Sequence, residues 1–271
     1  MRGRHLVDYA MCPRPTAIDG PNVLCGGPFA RDGATVRCEE RDMRIGVIGA
    51  SGNIGARIVA EATARGHDLV PFTRSGAAKK GPAWRDLDIF DLDALCAAVT
   101  SVDVIVSTYQ PGNAAQDIGD TVRRSIADAT VYARAAANLL KALESRAATR
   151  LIVVGGAGSL ETAPGRAMVD DAAALREALK GLGLPEDYAV AVRGHRDALN
   201  VLRLSNRRWT YASPSEDIRA GTRTGRFRVG GDQLLVGADG RSRISYEDFA
   251  AAIVDEIEEP RYIQRRFTVG Y

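Results

Sequence analysis

Three glycines at a spacing of three, Gly49, Gly52 and Gly55, stand inside the run GASGNIG. Before them, Met43 to Ile48 is short and apolar, the pattern of a buried strand. After them, Ile54, Ile58, Val59 and Ala62 fall on one helical face, and Gly66 supplies the stop. A second apolar run from Asp68 to Thr73 gives the next strand. A strand, a glycine turn and a helix place backbone N–H groups and a helix N-terminus where a pyrophosphate can sit. The glycines allow a tight turn, room for phosphates and close packing of helix on strand. Many loops contain a glycine triplet, but few stand between a strand and a helix with a second strand behind. Ser51, Asn53 and Ile54, inside the same turn, are expected to touch the dinucleotide with the glycines.

The end of the second strand decides which dinucleotide fits. An acidic residue there would hold the ribose hydroxyls of NAD and repel a 2′-phosphate. This chain has Thr73-Arg74-Ser75, with Lys79 and Lys80 downstream. A guanidinium and a hydroxyl suit a phosphate, and hydrogen bonds to charged groups contribute about 1.5–3 kcal/mol. NADP is therefore expected in preference to NAD. Asp88 and Ile89, after a short third strand, are expected to line the adenine. Ser107 and Thr108, where the fourth strand ends, are expected on the nicotinamide side.

The elements that must position these residues alternate. Trp84 to Leu87 reads as a strand, Leu92 to Val99 as a helix, and Val102 to Ser107 as a buried parallel strand. Residues 110 to 118 read as loop, and an alanine-rich helical stretch from about 119 to 148 breaks near Thr130. Arg150 to Val154 is a strand ending in GGAGSL. Helices follow over 170–180 and 186–204, with Gly181, Gly183 and Pro185 between them, then a strand over 209–212. Apolar runs around Phe227 and Leu234 look like a hairpin. Ser245, with Asp248 three residues on, opens a helix that ends before Pro260, and Phe267 to Val269 reads as a last edge strand. This order predicts an α/β fold, a doubly wound parallel-sheet Rossmann domain with small C-terminal additions over residues 43–271.

Composition excludes several classes. The 271 residues carry 36 Lys and Arg against 34 Asp and Glu, which gives no general pull toward nucleic acid or a membrane surface. No apolar run approaches the ~20 residues that span a bilayer, and no signal-peptide core opens the chain. A cytoplasmic protein acting on a small molecule, as a monomer or homodimer, is the expectation. Residues 1–42 lack periodicity and are proline-bearing, so they read as an unpacked, disordered extension, and Met43 could itself be a start. Cys12, Cys25 and Cys38 are evenly spaced but form no CxxC pair, and His5 is the only nearby histidine; no metal site is expected. Cys96 lies among alanines and reads as a packed small hydrophobe.

GASGNIG, GGAGSL, RTGRFRVGGDQLL and RISYEDFA together resemble the NAD(P)H–flavin reductases. These are atypical members of the short-chain dehydrogenase superfamily, similar also to biliverdin-IXβ/flavin reductase and NmrA-like proteins. The resemblance spans about residues 43–271 and implies an extended Rossmann domain, NADP and a small redox-active substrate. The superfamily's usual catalytic pair is a tyrosine with a lysine four residues on. Here Tyr188 stands near that place, but Val192 is four residues on and Arg193 five. Five residues along a helix turn a side chain away from the shared face, so the pair is not intact. Tyr188 is still expected to line the substrate pocket, and Ser159 lies where the superfamily keeps a substrate-facing serine. His195 reads as a surface histidine, and no residue is assigned as catalytic. The expected activity is NADPH-dependent reduction of a flavin, quinone-like or other small conjugated acceptor. The rivals are a carbonyl or sugar dehydrogenase or epimerase, and a non-catalytic NADP-sensing module.

Overall fold

The computed structural model describes residues 43–77 and 80–271, which fall within one compact unit, Arg41–Tyr271. The first strand β1 (Arg44–Ile48) leads into α1 (Asn53–Ala64), then β2 (Asp68–Thr73), β3 (Arg85–Asp86), α2 (Leu92–Thr100) and β4 (Val104–Ser107). Next come α3 (Ile118–Ala127), α4 (Val131–Ala142), β5 (Arg150–Val154) and a small antiparallel pair, β6 (Glu161–Ala163) with β7 (Arg166–Ala167). The chain continues through α5 (Ala172–Gly181), α6 (Ala189–Arg203), β8 (Trp209–Ser213), β9 (Asp217–Arg219) and β10 (Arg228–Gly230). It closes with β11 (Arg243–Ser245), α7 (Tyr246–Glu258) and β12 (Arg265–Gly270).

Eight strands form the main sheet in the order β10-β12-β8-β5-β4-β1-β2-β3, parallel except where β10 meets β12. Strands β4, β5 and β8 are buried along their whole length, as strands covered by helices on both faces must be. Alternation sorts their side chains. Ile45, Val47, Val104, Val106 and Ile152 pack under α1 and α7, while Ile105, Leu151, Val153 and Tyr211 pack under α2, α4 and α6. The order of connection reverses between β1 and β4, so a crevice opens there at the carboxyl ends of the strands.

Local chemistry starts the helices where the sequence predicts. Asp91, Asp117 and Asp171 accept from backbone N–H groups of α2, α3 and α5, and Ser245 Oγ accepts from Asp248 N at 3.0 Å. The long alanine-rich stretch breaks because Asp128 Oδ1 accepts from both the amide and the hydroxyl of Thr130, ending α3 before α4 begins. Two expectations are corrected. The stretch around Phe227 and Leu234 is not a hairpin: β10 pairs with β12, and Leu234 N donates to Glu161 O. For the same reason the last strand is internal, held between β8 and β10, since the strand outside it comes from about 40 residues upstream in sequence. Cys12, Cys25 and Cys38, where no metal site is expected, and the 1–42 extension lie outside the described residues.

The motifs RTGRF and RISYEDF meet at one buried carboxylate. Asp248 Oδ1 accepts from the amides of Thr224 and Gly225, both at 2.8 Å, while Oδ2 accepts from Thr224 Oγ1 at 2.6 Å and Tyr271 OH at 2.8 Å. Burial opposes the charge, but these hydrogen bonds outweigh it and hold the carboxyl below its ordinary range. A second buried pair, Arg150 with Glu256, ties the start of β5 to α7, and Glu256 also accepts from the amides of Arg261 and Tyr262.

Candidate active site

The glycine turn after β1 is shaped by contacts that leave no room for side chains. Gly49 adopts φ +78°, and a Cβ on it would stand 2.5 Å from Thr108 Oγ1. That hydroxyl donates to Ile48 O at 2.9 Å and Gly49 O at 3.2 Å, bracing the turn from the end of β4. A Cβ on Gly55 would lie 2.2 Å from Gly49 O, so α1 can approach the turn only with glycine there. Gly52 differs: its φ is ordinary and its nearest neighbour, Gly49 O, is 3.2 Å from an added Cβ. Gly49 and Gly55 shape the turn, whereas Gly52 keeps space open. The α1 N-terminus has no side-chain cap and no acid in its first turn, so its first N–H groups and dipole are available to an anion.

A cavity of about 820 Å³ runs from this turn along the carboxyl ends of the strands. Gly49, Ser51, Gly52, Asn53 and Ile54 line it, as do Arg74, Ser75, Asp88, Ile89 and Thr108. Arg74 is exposed. Lys80 also lines the cavity and lies 4.9 Å from the Trp84 ring centroid; Lys79 falls outside the described residues. Gly55 packs beneath the turn instead of facing the cavity. Ser107 is 2% exposed and points to a small cavity of about 20 Å³ behind the site, shared with Tyr132 and His195.

The other half of the cavity lies under α3, α5 and α6. Tyr188 and Val192 line it together with His195, Tyr109 and Gln110. His195 is not on the surface as its sequence suggests; it is 8% exposed and its ring lies 3.9 Å from that of Tyr132. The cause is Gly194, whose bare Cα lets α6 press against the start of α4: a Cβ there would stand 2.4 Å from Ala129 O, in the turn before α4, and 2.9 Å from the Tyr132 ring. Burial pushes the imidazole down to about 4, so it is neutral at physiological pH. Its Nε2 lies 3.4 Å from Gln110 Nε2, Tyr132 OH donates to Gln110 Oε1 at 3.0 Å, and Ser125 Oγ meets Tyr132 OH at 2.8 Å. Burial raises the Tyr188 phenol, and the hydroxyls of Tyr132 and Ser125 draw it only partway back. Arg193 is exposed and absent from the cavity wall.

Ser159 does not take the substrate-facing place expected of it. Arg266 Nη1 donates to its carbonyl oxygen at 2.6 Å and its hydroxyl at 3.1 Å, holding it buried beneath the cavity floor. The glycines of GGAGSL serve packing: a Cβ on Gly155 would strike the Tyr211 ring at 2.0 Å, and one on Gly158 would strike Val192 Cγ1 at 2.1 Å. Tyr109 and Gln110 were missed by the sequence reading, although they directly follow Thr108 at the carboxyl end of a buried strand, where ligands gather in such sheets. Tyr132 and Ser125 had no such signal, because their contact spans the break between α3 and α4.

Residues 49–260 match the NAD(P)H-binding family. The protein YwnB of Bacillus subtilis, itself uncharacterized, is 32% identical over 231 residues, covering 84% of this chain and 98% of that one. Among solved structures, a proposed exported protein from Burkholderia pseudomallei is 36% identical with a TM-score of 0.69, covering 84% of this chain and 100% of that one. A proposed epimerase from Bacteroides thetaiotaomicron is 31% identical with a TM-score of 0.68, covering 85% and 98%. A proposed NADH-flavin reductase from Streptococcus pneumoniae is 26% identical, also with a TM-score of 0.68, covering 84% and 99%. The glycine turn, the crevice at the strand reversal and these likenesses agree: this chain belongs to the NAD(P)H-binding family and is an oxidoreductase.

Proposed function

We propose that this protein is an NADPH-dependent reductase that passes hydride to a flavin, quinone-like or other small conjugated acceptor. The residues fit the dinucleotide along one half of the cavity. The bare α1 N-terminus and the space at Gly52 suit the pyrophosphate, Arg74 and Ser75 the 2′-phosphate, and Asp88 and Ile89 the adenine. When bound, the reduced nicotinamide supplies the hydride. The side chains of the other half receive and orient the acceptor and exclude water. One observation carries the choice of acceptor: Tyr188 has Val192, not a cation, beside it on α6, and its phenol is raised, not lowered. A phenol in that state holds its proton and donates a hydrogen bond, but is a poor general acid near neutral pH. His195, neutral and tilted against the Tyr132 ring, holds no proton to give from an imidazolium. A conjugated acceptor tolerates this, because it can take hydride before solvent delivers the proton.

The likeness to a proposed NADH-flavin reductase supports this reading, and the likeness to a proposed epimerase supports the rival. An epimerase needs groups that remove and return a proton; the cavity carboxyl that burial raises, Glu216, follows β8 and not the α6 wall beside Tyr188. The test is NADPH oxidation against a panel of flavins, quinones and simple carbonyls, repeated with NADH. Turnover confined to flavins and quinones is expected. Faster turnover of carbonyls would sink the proposal, and cofactor binding with no turnover of any acceptor would favour a sensor.

A further inference from the structure

We propose that the acceptor half of the cavity selects uncharged acceptors, with Val122 at a position where a single charge resets the choice. This rests on the reductase reading above and narrows its substrate class. The acceptor half is walled by Val122 of α3, Leu175 and Leu179 of α5, and Tyr188, Val192 and His195, with Tyr109 and Gln110 at its base. None of these carries a charge, since His195 is kept neutral by burial. Every charged side chain of α3, α5 and α6 lies off the cavity wall. Arg196, on the α6 turn that holds His195, is paired with Asp170, and Arg124 of α3 with Asp120 at 2.7 Å.

The charged residues that do line the cavity come from other elements. Arg74, Lys80 and Asp88 lie toward the end of β2 and β3. Glu216, Asp217 and Arg219 follow β8; Arg219 is bound to Asp217 at 2.6 Å, and nearby Tyr246 lies against Arg57 of α1. The mouth of the acceptor half is apolar instead. Ile118 is 61% and Leu182 40% exposed, and both line the cavity, so a flat apolar guest would cover them. An ionised substituent on such a guest would leave water without gaining a partner, and desolvation of an unpaired charge opposes binding. Amide and phenol groups at Gln110, Tyr109 and Tyr188 can still satisfy ring carbonyls and ring nitrogens.

The test compares two probes with the same ring system, menadione and a naphthoquinone sulfonate. Their binding to the full chain saturated with NADP+ is measured by equilibrium dialysis, and their reduction by turnover with NADPH. The wild type is expected to bind menadione at least about tenfold tighter, and Val122→Lys to shift the ratio toward the sulfonate by at least about tenfold, ~1.4 kcal/mol. Gln116→Lys, on an exposed loop residue that also lines the cavity, is expected to shift it the same way and serves should the helix variant not fold. Equal binding of both probes by the wild type, or a ratio unmoved in the folded variants, would overturn the selection. Binding preference without turnover of either quinone would overturn the reductase reading while leaving the selection standing.

Discussion

Arg74 is the side chain on which cofactor choice is expected to turn. It is exposed at the cavity wall and beside Ser75, so a 2′-phosphate would find it without breaking a buried contact. Arg74→Glu replaces a phosphate partner with a like charge, and NADPH affinity is expected to fall at least ~10-fold at ~1.4 kcal/mol per decade. NADH affinity should change much less; equal losses in parallel titrations would remove Arg74 from that role. The glycines separate in the same way. Gly52→Val should fold but lose cofactor, because its Cβ meets only the Gly49 carbonyl, at 3.2 Å, and its methyls enter the phosphate path, whereas Gly55→Val drives a side chain to 2.2 Å from that carbonyl and should lower Tm sharply. Tyr188→Phe is expected to change kcat with a flavin by less than about tenfold, against the 10²–10⁴-fold that a true general acid contributes. Since His195 titrates near 4 when folded, kcat/KM should show no inflection from it near 6.5. The same shift makes folding less favourable as pH drops from 6.5 toward 4, where the unfolded chain takes up a proton that the folded chain does not. The glycine turn and Arg74 were legible in the sequence because their chemistry is local. His195 was not, since its burial depends on Gly194 meeting Ala129, some 65 residues away in sequence.

At the scale of elements, α7 is held by chemistry at both ends. Ser245 caps its start while Asp248, one turn in, gathers the loop at Thr224 and Gly225, and Glu256 near its end is paired with Arg150. Asp248→Asn keeps the shape but removes the charge and turns one acceptor into a donor facing donors. A loss of about 1–3 kcal/mol is expected, the range for a buried polar group left unsatisfied. The sign of its pH dependence follows from the lowered carboxyl. The contribution is complete above the ordinary aspartate value of 3.8 and disappears as pH falls below it toward the folded value. Denaturation curves of wild type and variant should therefore converge in acid; a gap that stays constant down to the lowest pH at which both fold would remove the charge from the account. Strands β2 and β5 could be read to the residue, because continuous apolar runs flanked by polar residues mark buried parallel strands. The placement of β12 could not, because its outer neighbour β10 carries only three residues and no apolar alternation of its own.

The whole molecule divides into a sheet whose centre is buried on both faces and whose margins are brief. Residues 43–271 contain the eight described strands of that sheet and the three described core clusters, with Met43 itself packed against one of them. A chain that starts at Met43 is expected to melt within about 2–4 °C of the longer one, the shift that ~1 kcal/mol produces in a protein of this size. A larger drop, or loss of cofactor binding, would show that the preceding residues belong to the fold. The margins themselves have a consequence for how this protein behaves when crowded. On one side the sheet stops at β3, two residues long, Arg85 and Asp86, both exposed and oppositely charged. On the other it stops at β10, where exposed Arg228 turns back to donate to Val236 O at 2.8 Å. Among the described residues neither rim offers a long flat row of free amides and carbonyls on which a second chain could template itself. Any self-association is therefore expected to use helix faces, and the native state should resist seeding by strand addition even at high concentration.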